Sequence, residues 1–191
     1  MTCRRIFHSL LILFLISFFS SCNQIETQKR KQAVKHNFNK VVTFDWNRLQ
    51  FLPDTVIENG ELNHMPVEIV SQINRTLCAE CLSKYLHFAE KYVSSYKSDS
   101  LRFIAIISSE EQKEIRTMIS DIDTSKVIVL YDVDNKFLKG CNIREIGGIW
   151  NVFLLNREKR IVLMGDPLTQ NNMEPLYKKE IPQLLNKGNH D

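Results

Sequence analysis

The chain has 191 residues, 43% of them hydrophobic and 25% charged, with 6 Gly and 5 Pro. That composition fits a globular protein with one core and excludes a collagen-like repeat, a disordered tail and a multidomain enzyme. The formal net charge of +3 falls to +1 once residues 1–21 are set aside, because they hold Arg4 and Arg5 and no acid. A near-neutral domain offers no electrostatic basis for binding nucleic acid.

Arg4 and Arg5 precede an apolar run of 14 residues, Ile6 to Phe19, broken only by His8, Ser9 and Ser17, and then comes Phe19-Ser20-Ser21-Cys22. A charged start, a short apolar run and small residues at its end form the pattern of a cleaved export signal over residues 1–21. The alternative is a short transmembrane anchor, for which the run is brief at about 1.5 Å per residue. Small residues directly before a cysteine resemble the lipobox of bacterial lipoproteins, although Phe19 stands where Leu, Val or Ile is more typical. The resemblance implies that Cys22 becomes N-terminal and carries a diacylglycerol on its thiol. Residues 22–40, a polar stretch, then read as a tether holding a domain at residues 41–191 off a lipid surface. Two acyl chains suffice for firm membrane attachment.

Of five cysteines, Cys3 leaves with the signal and Cys22 takes the lipid, so Cys78, Cys81 and Cys141 remain. Disulfides persist in exported proteins, and the close pair Cys78-Ala79-Glu80-Cys81 is the obvious bridge. Closing so short a loop constrains the unfolded chain little. Chemistry is therefore a better reading of the pair than a structural staple.

Along the mature chain, Val41 to Phe44 reads as a strand, Asn59-Gly60 as a hairpin turn after Thr55-Val56-Ile57, and Pro66 as the marker of the next strand. Val67 to Val70 follows as a buried strand. From the cysteine pair a helix runs on with Leu82, Tyr85, Leu86, Ala89, Tyr92 and Val93 along one face. Leu101 to Ile107 is an apolar strand. Ser108 and Glu111 form a capping box for a helix through Ile119, and Val127 to Tyr131 is another strand. Asn135 to Cys141 is a short helix or turn. Val152 to Leu155 and Ile161 to Met164 pair across a turn at Asn156 to Lys159. Met173 to Leu185 closes the chain as a helix that Pro182 should kink or end early. The alternation implies an α/β fold: a central mixed sheet, mostly parallel with an antiparallel edge, and helices on both faces.

That order, with Cys-x-x-Cys where the first core strand meets its helix, resembles the thioredoxin fold. The strand-helix insert around residues 101–120 and the stretch Gly148-Ile149-Trp150-Asn151-Val152-Phe153-Leu154-Leu155 are similar to the TlpA/ResA branch of tethered extracytoplasmic members, over about residues 65–186. The resemblance implies that Cys78 attacks and Cys81 releases the mixed disulfide. The physical basis is that a thiolate at a helix N-terminus faces unpaired N–H groups and the positive dipole end. Two positions depart from the family pattern. Trp150 stands where the fold usually has a cis-proline, so a trans Ile149–Trp150 bond is expected. Gln72 stands six before the first cysteine, where thioredoxins often bury an Asp, so proton transfer at Cys81 needs water or another group.

Glu80, inside the loop, repels a thiolate, and the loop itself holds no cation; a reductant-like or intermediate potential is expected, not that of a strong oxidant. If Glu80 points into solvent, its effect is small. His87 on the same helix raises the option of zinc or copper, but no second Cys-x-x-Cys or His pair accompanies it, so a solvated helix histidine is the reading and no metal or other cofactor is expected. The copper-chaperone branch spaces its cysteines by three, and peroxiredoxins place Thr where Arg75 stands, with Thr76 out of phase. Cys141 reads as a small buried residue. Trp46 and Trp150 are either a peptide-binding surface or core.

The sequence thus reads as a lipid-anchored thiol-disulfide oxidoreductase of the cell envelope, on the inner or outer membrane and facing the periplasm. Its catalytic residues would be Cys78 and Cys81 and its partner a protein thiol or disulfide. The rival reading is a redox-inactive binding or assembly module on the same fold, contacting its partner around Trp150.

Overall fold

The computed structural model describes residues 26–45, 49–52, 67–73, 78–107, 117, 119–132, 134–146 and 150–186. Within them the strands are β1 (Leu49–Leu52), β2 (Val67–Ile73), β3 (Leu101–Ile107), β4 (Val127–Asp132), β5 (Trp150–Leu155) and β6 (Ile161–Met164). The helical stretches are α1 (26–37), α2 (Ala79–Ser94), α3 (Phe137–Gly140) and α4 (Glu174–Asn186).

β2, β3 and β4 are buried along their whole length, and such runs suit a parallel sheet covered on both sides. β2 pairs parallel with β3 and β3 parallel with β4, while β5 runs antiparallel to β2, β6 to β5, and β1 to β4. The result is one mixed sheet in the order β1-β4-β3-β2-β5-β6. Successive strand residues point to opposite faces. Ile69 and Ile73 join Leu82 and Leu86 of α2 and Tyr177, Ile181 and Leu184 of α4 in one apolar cluster; Val70 and Ile104 join Phe137 and Leu138 of α3 in the other. Helices therefore lie on both faces, as the alternating pattern requires.

Three expectations meet a different structure, and one strand was not expected. Residues 26–37, read as part of a polar tether, are helical, and the last turns are fixed to the domain: Ala33 and Asn37 are buried. The Asn37 amide donates to the Arg144 carbonyl at 2.6 Å and its oxygen accepts from the Arg144 N–H at 2.9 Å. Val41 to Phe44 is not a strand but makes a single antiparallel bridge, Val41 with Arg160. β1 was not anticipated as a strand. Of the kink or early end expected at Pro182, the early end does not occur: α4 continues to Asn186, because Tyr177, Ile181 and Leu184 hold one face in the core while Pro182 lies on the exposed side.

The hairpin turn at Asn59-Gly60, the strand mark at Pro66 and the capping box at Ser108 and Glu111 lie outside the described residues, as do Cys22, Trp46, Arg75 and Thr76. Among the described residues no helix is long and apolar enough to cross a membrane.

Candidate active site

β2 carries the chain from the covered centre of the sheet to the cysteine pair. Its last residue, Ile73, sits opposite Trp150, the first residue of β5, so the approach to Cys78 and the start of β5 share one end of the sheet. Cys78 is the N-cap of α2, with φ −59° and ψ 137°. Its carbonyl accepts the Leu82 N–H at 3.1 Å, and its sulfur accepts the Cys81 N–H at 3.1 Å. The helix starts here because Leu82, Tyr85, Leu86, Ala89 and Val93 form a buried stripe against the sheet.

Cys78 and Cys81 are joined in a disulfide with Cα atoms 5.2 Å apart, and both residues are exposed. An incoming thiolate can reach the bond. Once it opens, the N–H already aimed at Cys78 and the positive end of α2 favour that sulfur as the thiolate.

Glu80 lies in the first turn of α2 and pairs with Lys84 one turn on, at 2.6 Å with both side chains well exposed. The hydrogen bond and charge of Lys84 hold the Glu80 carboxyl below the usual range. A cation thus faces the carboxylate from outside the two-residue loop, and the repulsion expected at Cys78 is partly cancelled.

Gln72 is buried on the sheet face away from α2, its amide donating to Asn135 Oδ1 at 3.3 Å. The buried acid missing at that position is present elsewhere. Asp166, just after β6, is fully buried, accepting the Leu168 N–H at 2.9 Å and the Thr169 hydroxyl at 2.6 Å. Burial pushes its carboxyl up, and a hydrogen bond with Tyr85 is among the effects opposing that. Tyr85, one turn past Cys81 on α2, also shares a hydrogen bond with Ser71 of β2 at 3.1 Å. Beside it the Tyr177 hydroxyl donates to the Gly165 carbonyl at 2.9 Å. A buried polar group therefore lies between α2, β2 and the start of the chain to α4. In the sequence Tyr85 passes for one more apolar helix position and Asp166 for a turn residue, so no local pattern reveals it.

His87 donates from Nδ1 to the Ser83 carbonyl at 2.8 Å, and its Nε2 faces Asp121 at 3.2 Å. Those two contacts, the backbone bond first, raise its pKa. Among the described residues no group of three His, Cys, Asp or Glu side chains is placed to hold a metal. Cys141 is a free, half-buried thiol donating to the Thr43 carbonyl at 3.1 Å, and burial pushes its pKa up. It packs with the second apolar cluster, so the sheet separates it from α2.

This is a thioredoxin-like α/β fold with a Cys-x-x-Cys disulfide at the head of the helix that follows its central strand. Solved structures bear out the fold. An uncharacterized thioredoxin-like protein from Porphyromonas gingivalis superposes with a TM-score of 0.52 at 23% identity, over 80% of this chain and 97% of that one. A Bacteroides thetaiotaomicron protein, provisionally called a protein disulfide isomerase, superposes with a TM-score of 0.55 at 16% identity, over 80% and 91% of the two chains. No family model and no curated protein matches the sequence.

Proposed function

We propose that the protein is a membrane-anchored, extracytoplasmic thiol-disulfide oxidoreductase that exchanges with protein partners through Cys78 and Cys81. The observation that carries this reading is the exposed disulfide at the N-terminus of α2, with the Cys81 N–H on the Cys78 sulfur.

In the reducing direction the Cys78 thiolate attacks a partner disulfide, forming a mixed disulfide and expelling one partner thiolate. The Cys81 thiolate then attacks Cys78, forming the Cys78–Cys81 bond and releasing the second partner thiolate. Two electrons pass to the partner, whose thiolates take their protons from water. An external dithiol must reduce the pair before the next turnover, and each step runs backwards when the partner is the dithiol.

The export pattern of residues 4–22 supports lipid attachment at Cys22, in the inner or outer membrane with the domain facing the periplasm. Changing Cys22 to Ser in the full-length protein should move it from the membrane fraction to the soluble one when membranes are washed at high salt, whereas the unaltered protein stays on them.

The deciding experiment is a redox titration of the chain from Asn23 against a thiol-disulfide buffer, with alkylation to trap free thiols. A two-electron transition that disappears in Cys78→Ser is the expected result. A pair that does not cycle under native conditions would overturn the reading in favour of a redox-inactive binding module.

A further inference from the structure

The outer side of α1 is the least explained surface of the fold. Of residues 26–37 only Ala33 and Asn37 are buried, four apart on one side of the helix. Away from them, Val34 and Phe38 also stand one turn apart and are 40% and 59% exposed, with Val41 just beyond at 43%. Arg30, Lys31 and Lys35 flank this apolar pair around a shallow open groove. Residues 26–40 carry five Lys and Arg against one acid, Glu26, although the domain as a whole is close to neutral. Phe and Val among exposed Lys and Arg on a helix make a face that suits the headgroup region of a bilayer: the apolar groups enter it and the basic groups meet lipid phosphates.

We propose that this face of α1 docks flat on an anionic phospholipid surface. Covalent geometry supports that occupant over a protein. Cys22 lies only four residues before Glu26, a reach of at most about 14 Å for any chain. If Cys22 carries lipid, as in the function proposed above, α1 cannot stand far from the bilayer. The role of residues 22–40 then changes from spacing the domain away from the membrane to orienting it there. α1 is bound through Asn37 to the segment at Arg144, so its seat on the lipid fixes the attitude of the whole sheet.

The test uses the chain from Asn23, which retains every contact described above because all of them fall within residues 26–186. Sedimentation with vesicles of phosphatidylglycerol mixed with phosphatidylethanolamine should show binding that high salt abolishes, and vesicles of phosphatidylcholine alone should show little. Lys31→Gln and Lys35→Gln should each weaken binding about fivefold, the effect of one basic residue near an anionic surface. Phe38→Ser should weaken it without altering the salt dependence. Absence of binding, equal binding to both vesicle types, or indifference to the lysine changes would overturn the proposal. Because this chain lacks Cys22, failure here leaves lipid attachment standing. Conversely, full-length Cys22→Ser that stays on membranes while the vesicle assay is negative would sink the anchoring reading.

Discussion

The backbone N–H of Cys81 points at the sulfur of Cys78 from 3.1 Å while the two residues are bonded through their side chains. The hydrogen bond that will stabilise the thiolate is in place before the thiolate exists, so no backbone movement is needed to form it.

After reduction, Cys78 should therefore titrate below the free-thiol value of about 8.5. Alkylation rates measured against pH should show Cys78 reacting first, with Cys141 slow at neutral pH because burial raises its pKa. Equal rates for the two would remove the electrostatic account of the site.

The Glu80–Lys84 pair sets the local field. Lys84→Ala should leave Glu80 unopposed, raise the Cys78 pKa and make the disulfide harder to reduce. The midpoint potential should move to more negative values, the more so at low salt. For the unaltered protein the midpoint should lie below the roughly −120 mV of a strong oxidant.

His87 should titrate above 6.5, since its contacts to Ser83 and Asp121 favour the protonated ring. Their stabilising effect is complete below 6.5 and is lost as pH rises through the folded-state value. NMR titration of the ring checks this, and Asp121→Asn should bring the midpoint down only part of the way because the Ser83 carbonyl remains.

Asp166 has the opposite chemistry but the same sign. Burial raises its carboxyl above 3.8 in the fold, so its contribution favours the native state below 3.8 and fades as pH rises through the folded value. Urea unfolding at pH 3 and pH 7 should show Asp166→Asn gaining on the unaltered protein at the higher pH.

Two core changes test the packing beneath the site. Leu86→Ala, at a residue with no exposure, should cost about 2–5 kcal/mol. Gly165 has φ +123°, and a Cβ placed there would stand 2.9 Å from the Met173 sulfur. Gly165→Ala should therefore destabilise by about 1–3 kcal/mol through backbone strain. Denaturant titration reads both.

β3 and β4 were legible because apolar residues dominate both, which means burial on both faces, β2 only as far as Val70 because Ser71 and Gln72 interrupt its apolar pattern, and α2 because Leu82, Tyr85, Leu86, Ala89 and Val93 keep helical spacing. β1 escaped because four residues, Leu-Gln-Phe-Leu, carry too little periodicity to register. α1 escaped for a different reason. It is held by Ala33 and the polar Asn37, so no apolar stripe marks its inner side. The cysteine pair is a local motif and can be read directly, whereas the buried meeting of Ser71, Tyr85 and Asp166 joins three segments far apart in the chain.

The segment after α1 also covers the start of one rim of the sheet. Asn39 donates to the Ile161 carbonyl, Ile161 to the Lys40 carbonyl and Val42 to the Lys159 carbonyl, at 2.9, 2.9 and 2.8 Å. Backbone groups beside β6 that would otherwise invite another chain are thereby occupied, and the opposite rim, β1, is only four residues long. Exposed edges promote strand addition and aggregation. Among the described residues the edges left for a neighbouring chain are short: β1 and β6 have four residues each, and Ile161 of β6 is already paired, so a second molecule finds little on which to extend the sheet.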